Sequence, residues 1–117
     1  MNTTSRTVAA LVPLLLLGPL PAEAATPTLT AAVGPGMTIT LRAAGKAVHE
    51  LKHGAYVITV SDASTEHNFH LHGPGVNKKT SISKKVKVTW KVTFEKGTYR
   101  FVCDAHPKMM KGSFSVT

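Results

Sequence analysis

Lys85-Val86-Lys87-Val88-Thr89-Trp90-Lys91-Val92-Thr93-Phe94-Glu95 alternates without a break, with an apolar residue at every even position and a polar one at every odd position. Successive side chains of an extended chain point to opposite sides, so the pattern predicts a strand with one face in a core and the other in water. The same period recurs upstream. Met37, Ile39 and Leu41 are read as inward against Thr38, Thr40 and Arg42, and Tyr56, Ile58 and Val60 as inward in the segment from Ala55 to Asp62. Shorter strands are predicted over 29–33, 68–71, 98–103 and 113–116. Turn residues separate them: Gly34-Pro35-Gly36, Gly45, Gly54, Gly73-Pro74-Gly75, Lys96-Gly97 and His106-Pro107. No stretch keeps a helical period, and 43–53 reads only as a loop or a short helical turn. Roughly six to eight short strands at this spacing predict an all-β fold, a single-domain antiparallel β-sandwich with Greek-key connections.

The N-terminus has a different composition. Arg6 is followed by an apolar run from Val8 to Leu20 and then by Pro21-Ala22-Glu23-Ala24, which ends in the small residues of a cleavage site. Residues 1–24 are therefore read as a secretory signal peptide. Pro13, Gly18 and Pro19 interrupt the run, which is shorter than the roughly 20 apolar residues of a bilayer span, so no membrane span is expected in the mature chain. Cleavage near Ala24 leaves residues 25–117, enough for one small domain with one core. The chain carries 14 Lys and Arg against 6 Asp and Glu, a formal charge of +8. Such a charge suits nucleic acid, an anionic membrane face or an acidic protein partner. Export argues against nucleic acid, and no helix-turn-helix, zinc-finger or aromatic-interleaved basic pattern appears.

Cys103 is the single cysteine. Exported proteins favour paired cysteines, so an unpaired thiol there needs a reason. The surrounding sequence supplies one: Tyr99-Arg100-Phe101-Val102-Cys103-Asp104-Ala105-His106-Pro107-Lys108-Met109-Met110-Lys111-Gly112, with His67-Asn68 on a separate strand-like segment. A thiolate, two imidazoles and a thioether form the ligand set of a trigonal copper centre with a weak axial methionine. Cys103 shares its alternating face with Tyr99 and Phe101, and His67 shares one with Phe69 and Leu71, so both are expected to point inward. His70 and His72 fall on the opposite, polar face. They are read as exposed, with a second, weaker copper site as the functional alternative. Met37 is read as core. Met109 and Met110 both close the loop and either can supply the axial sulfur, while His49 and His53 receive no role.

At these residues the chain resembles the cupredoxins, small blue copper proteins, in a form similar to their secreted bacterial members. The shared parts are Gly54-x-Tyr56, Asp62, His67-Asn68-Phe69, Gly97-Thr98-Tyr99-Arg100-Phe101-x-Cys103 and Cys103-x-x-His106 followed by Met-x-Gly. The resemblance implies one type 1 copper ion held by His67, Cys103, His106 and a methionine, with Asn68 tying the two ligand segments together. Its rule that the methionine lies two residues before the glycine opening the last strand selects Met110. It also implies an exposed His106 edge beneath an apolar rim including Pro107 and Pro74. The interval from His106 to Met110 is shorter than the plastocyanin one, and His70 and His72 are not part of that pattern.

The leading functional expectation is a periplasmic or extracellular one-electron carrier. The alternative is a copper-handling protein that buffers or delivers the ion with help from His70, His72, Met109 and Met110. Catalysis is not expected: no triad is present, one cysteine cannot build a two-thiolate dinuclear centre, and the ligand set leaves no evident open position. The partner is expected to be a redox protein with an acidic docking face, met by lysines among positions 78, 79, 84, 85, 87 and 91.

Overall fold

The computed structural model describes residues 25–117, and the segment read as a signal peptide lies outside the described residues. Ten strands are present: β1 (Thr28–Val33), β2 (Ile39–Ala43), β3 (Lys46–Ala47), β4 (Glu50–Leu51), β5 (Gly54–Asp62), β6 (His70–Gly73), β7 (Val76–Lys79), β8 (Val86–Phe94), β9 (Gly97–Val102) and β10 (Lys111–Val116). They form two five-stranded sheets in the orders β3-β2-β1-β5-β8 and β4-β10-β9-β6-β7. The chain crosses from one sheet to the other between β3 and β4, β4 and β5, β5 and β6, β7 and β8, and β8 and β9, so the two sheets are interleaved in sequence and enclose a shared core.

Alternation decides which side chains fill that core. Leu29, Ala31 and Val33 of β1, Tyr56, Ile58 and Val60 of β5, and Tyr99 and Phe101 of β9 are all buried, while their neighbours face outward or are only half-buried. Full burial of each large apolar side chain contributes about 1.5–3 kcal/mol. Two strands carry the period one step further. β5 ends in Asp62, which is buried on the same inward face, and the residue after β9 is Cys103, fully buried. The rule that builds the core thus delivers a carboxylate and a thiol to the inside of the fold.

Two glycines shape the second sheet. A β-carbon on Gly73 would meet the ring of Tyr99 at 2.3 Å, and one on Gly112 would meet the ring of Phe101 at 2.2 Å. Gly112 lies directly across from Phe101 in the β9–β10 ladder, so the ring rests where a side chain would stand. Close approach, not backbone conformation, requires glycine at both positions.

Five sequence expectations need correction. Pro74, expected in the rim over His106, instead lies beside Gly97 with its carbonyl taking the Tyr99 hydroxyl, at the opposite end of β9. Pairing is not wholly antiparallel: β1 runs parallel to β5 and β4 parallel to β10, because each pair is joined by an excursion that returns the chain in its original direction. Met37 is 43% exposed in the β1–β2 turn and is not core, since β2 begins only at Ile39. The 43–53 stretch holds the two-residue strands β3 and β4, too short to show a period. The strand expected over 68–71 starts at His70, leaving His67, Asn68 and Phe69 in a buried non-strand approach.

Candidate metal centre

Cys103 heads a tight loop that leaves β9 and returns into β10. Its backbone N–H donates to the Met110 carbonyl at 2.9 Å, closing the loop at its neck. Inside, the His106 N–H donates to the Cys103 carbonyl at 3.1 Å, and the N–H groups of Met109 and Met110 both donate to the His106 carbonyl, at 3.2 and 2.9 Å. The loop is pinned by its own backbone, with Pro107 offering no donor to misplace. Met110 is fully buried, whereas Met109 is 75% exposed.

His67 is placed by a buried polar network. The Asp62 carboxylate accepts the Ser64 N–H at 3.1 Å and the Thr80 hydroxyl at 2.9 Å. The same Thr80 oxygen accepts the Phe69 N–H at 2.9 Å, and the Thr80 N–H donates to the Phe69 carbonyl at 3.0 Å. Asn68 donates to the Thr80 carbonyl at 3.2 Å and to the Asp104 carboxylate at 2.8 Å, and its carbonyl oxygen accepts the Asp104 N–H at 2.8 Å. Asn68 thus joins the segment carrying His67 to the residue after Cys103. Thr80 fixes that segment to the end of β5. Asp62, His67, Asn68 and Thr80 are all buried, and low local polarity makes each satisfied bond count for more.

These constraints converge on one point. The Nδ1 atoms of His67 and His106 lie 3.1 Å apart, and Cys103 Sγ is 3.8 Å from each. The three form the cluster of metal-binding type found among the described residues. The centre of that triangle lies about 2.1 Å from each corner, the length of an ordinary metal–nitrogen bond. Two imidazole nitrogens and a sulfur facing one point at that radius fit a single soft or borderline ion such as copper.

Asp104 forms the outer brace. One carboxylate oxygen takes the Asn68 amide and the other takes His70 Nδ1 at 2.8 Å. Burial works to raise its pKa, but hydrogen bonds from Asn68 and His70, with the positive charge of His70 and Lys79, outweigh it and hold the carboxyl below its ordinary value. His70 Nε2 meets the Asn77 side-chain oxygen at 2.6 Å, so both of its ring nitrogens are engaged and neither is directed to a second metal. His53 Nδ1 is occupied by the Thr117 carbonyl at 2.9 Å. Sequence reasoning missed Thr80 and Asp104. Thr80 carries no local signal, being 12 positions from Asn68, whereas a carboxylate inside the Cys103–His106 interval was a signal open to notice.

Structures superposable on this architecture carry copper-protein names. Rusticyanin, described as a copper protein, matches with a TM-score of 0.56 at 18% identity over 77% of this chain and 76% of its own. Rusticyanin from Thiobacillus ferrooxidans matches with a TM-score of 0.55 at 20% identity over the same shares. The chain has the cupredoxin fold. A chain from the structure of a heme-copper terminal oxidase dimer also matches, with a TM-score of 0.52 at 20% identity, over 77% of this chain and 63% of that one. No protein-family model and no curated protein sequence matches the chain. Within this cupredoxin fold the His67, Cys103 and His106 donors lie at one end of the sandwich, where β9 gives way to the loop into β10.

Proposed function

We propose that this chain is a type 1 blue copper protein that carries single electrons in the periplasm or cell exterior, with residues 1–24 removed as a signal peptide. The observation carrying this reading is the closed triangle of His67, Cys103 and His106 with Met110 buried in the same loop. Bound copper supplies the one-electron Cu(II)/Cu(I) couple. The protein's residues do the rest. With copper bound, Cys103 would give up its thiol proton and serve as the thiolate donor, His67 and His106 would hold the ion through their Nδ1 atoms, and Met110 would add its thioether as a weak further ligand. Asn68, Thr80 and Asp104 hold the two ligand segments in register, so the donor set need not rearrange between oxidation states.

The surface supports transfer to a partner in place of substrate chemistry. Met37, Ile82 and Met109, the large hydrophobic residues exposed among the described residues, stand in loops at the metal end, Met109 in the same loop as exposed Pro107 and half-buried His106. An apolar rim of this kind suits brief docking of a redox protein. The +8 charge favours a partner acidic at its docking face. Among the described residues no helix is long and apolar enough to cross a membrane. A copper-handling role would need further free donors, and the engagement of both His70 nitrogens weighs against it.

The visible spectrum of the copper-loaded protein tests the proposal. An intense thiolate-to-copper band, lost in Cys103→Ser while the β-sandwich remains folded, supports it. A colourless one-copper complex, or a band that survives Cys103→Ser, overturns it.

A further inference from the structure

The outer face of the second sheet carries a groove that the metal site does not use. Register places its residues. Arg100 of β9 lies between His72 of β6 and Ser113 of β10, and Val102 lies opposite Lys111. Arg100 and Lys111 are therefore diagonal neighbours on one face, about 7–8 Å apart. The groove they line also includes His72, Val102 and Ser113 and ends against Pro107 of the metal loop.

An anion seated between two exposed cations on one face can be reached by both. Neither forms an ion pair with any described residue, since the ion pair among the described residues is His70 with Asp104. Asp104, the acidic residue of the metal loop, is already taken by Asn68 and His70. Arg100 and Lys111 are exposed, and β9 is paired on both sides, by β10 and β6, so Arg100 rises from an ordered floor. Arginine offers a fixed fork of donors for a carboxylate, and lysine adds a second point charge. By contrast Lys87 and Lys91 stand on β8, on the outer face of the other sheet.

We propose that this groove receives carboxylate side chains of an acidic protein partner and seats that partner beside the metal loop. One wall, Pro107, adjoins His106, and the floor at Val102 adjoins Cys103, so an acidic segment in the groove brings its protein to the rim of the site. The purpose assigned to the groove rests on the electron-carrier reading, but its binding chemistry can be measured without copper.

The test is a titration of the isotope-labelled, copper-free protein with an all-glutamate peptide, followed amide by amide by nuclear magnetic resonance. Shifts should concentrate at His72, Arg100, Val102, Lys111 and Ser113. Joint Arg100→Glu and Lys111→Glu substitution should weaken binding by about tenfold or more, whereas joint Lys87→Glu and Lys91→Glu should leave it nearly unchanged. Arg100→Gln with Lys111→Gln serves as a milder pair should charge reversal disturb the fold. Shifts spread evenly over all lysines, equal losses in both pairs, or the same shifts from inorganic phosphate at matched charge would overturn the proposal, the last assigning the groove to small anions. Failure here with an intact copper band would reject the docking groove alone, and loss of the band with groove binding intact would reject the copper reading alone.

Discussion

The two ends of the sandwich are built from opposite materials. At the far end Phe94 packs edge-on against Tyr99 and Phe114 at 4.7 and 5.4 Å between ring centres, and Tyr99 stacks on Phe114 at 5.5 Å. The polar groups there are tyrosine hydroxyls: that of Tyr99 donates to the Pro74 carbonyl at 2.6 Å and accepts the Glu95 N–H at 3.0 Å, and that of Tyr56, which packs on Phe94, donates to the Lys52 carbonyl at 2.7 Å. At the metal end the buried volume includes His67 together with Asp62, Thr80 and Asn68, the last three joined in a chain of hydrogen bonds. Apolar packing is tolerant of direction but demands volume. Polar networks demand direction. The aromatic end therefore sets how stable the domain is, and the polar end sets where the donors stand.

That division can be broken by substitution. Phe94→Ala should produce the largest loss, about 3–5 kcal/mol of unfolding free energy in denaturant melts, from removal of a ring and the cavity it leaves. The added stability from copper should be the same in this variant as in the parent, because a ligand bound only by the folded state contributes according to its affinity. A variant that also lost the copper increment would show that the ends are not independent.

Asn68→Ala comes next. It strands the Asp104 N–H and the Thr80 carbonyl, and unmet buried groups of this kind cost about 1–3 kcal/mol each. Unlike Phe94→Ala, it should also shrink the stabilisation by copper, measured as the difference between melts with and without the ion. A full copper increment in Asn68→Ala would mean that the ligand segments do not need their tie.

Asp104→Asn should cost less, about 1 kcal/mol, since the carboxylate is partly exposed. Its signature is pH dependence. A carboxyl lowered by folding contributes fully above its ordinary value of 3.8 and loses that contribution as the pH falls through its lower folded value. The gap between parent and variant should thus be present at neutral pH and close in strong acid. A gap independent of pH would assign Asp104 a packing role only.

The smallest effect on stability distinguishes the methionines. Met110→Leu, a volume-conserving change at a fully buried site, should cost under about 1.5 kcal/mol, and Met109→Leu, at an exposed one, close to nothing. Spectrum and reduction potential should nevertheless shift in Met110→Leu and stay put in Met109→Leu. A shift confined to the Met109 variant would reverse the axial assignment.

How much of this was legible in the sequence depends on the range of the interaction. The strand over Val86–Phe94 and the inward course of Tyr99, Phe101 and Cys103 follow from period two alone, which each residue shows locally. The convergence of His67 with Cys103 and His106 was legible because few other uses bring thiol, imidazole and thioether so close in sequence. The two-residue β3 and β4 were not legible, nor was β7, whose pattern of one buried residue and three exposed ones shows no alternation. Met37 misled because alternation continued on paper past the point where the turn ended it. Thr80 was hidden for another reason: its hydroxyl and both backbone groups serve residues far away in the chain, and nothing about an isolated threonine announces that.

Gly73 and Gly112 carry a consequence for how such a chain can drift. Each is the imprint of a ring on the neighbouring strand, so the information about Tyr99 and Phe101 is stored twice, once as volume and once as vacancy. Phe101 in turn stacks on Phe69, next to Asn68. Neither member of such a pair is free to change by itself: an alanine at Gly112 forces Phe101 aside, and a small residue at Phe101 leaves a hole. Substitutions there are coupled, open only to simultaneous replacement on both strands, and the coupling traces to shape beside the metal loop without any tie to the metal itself.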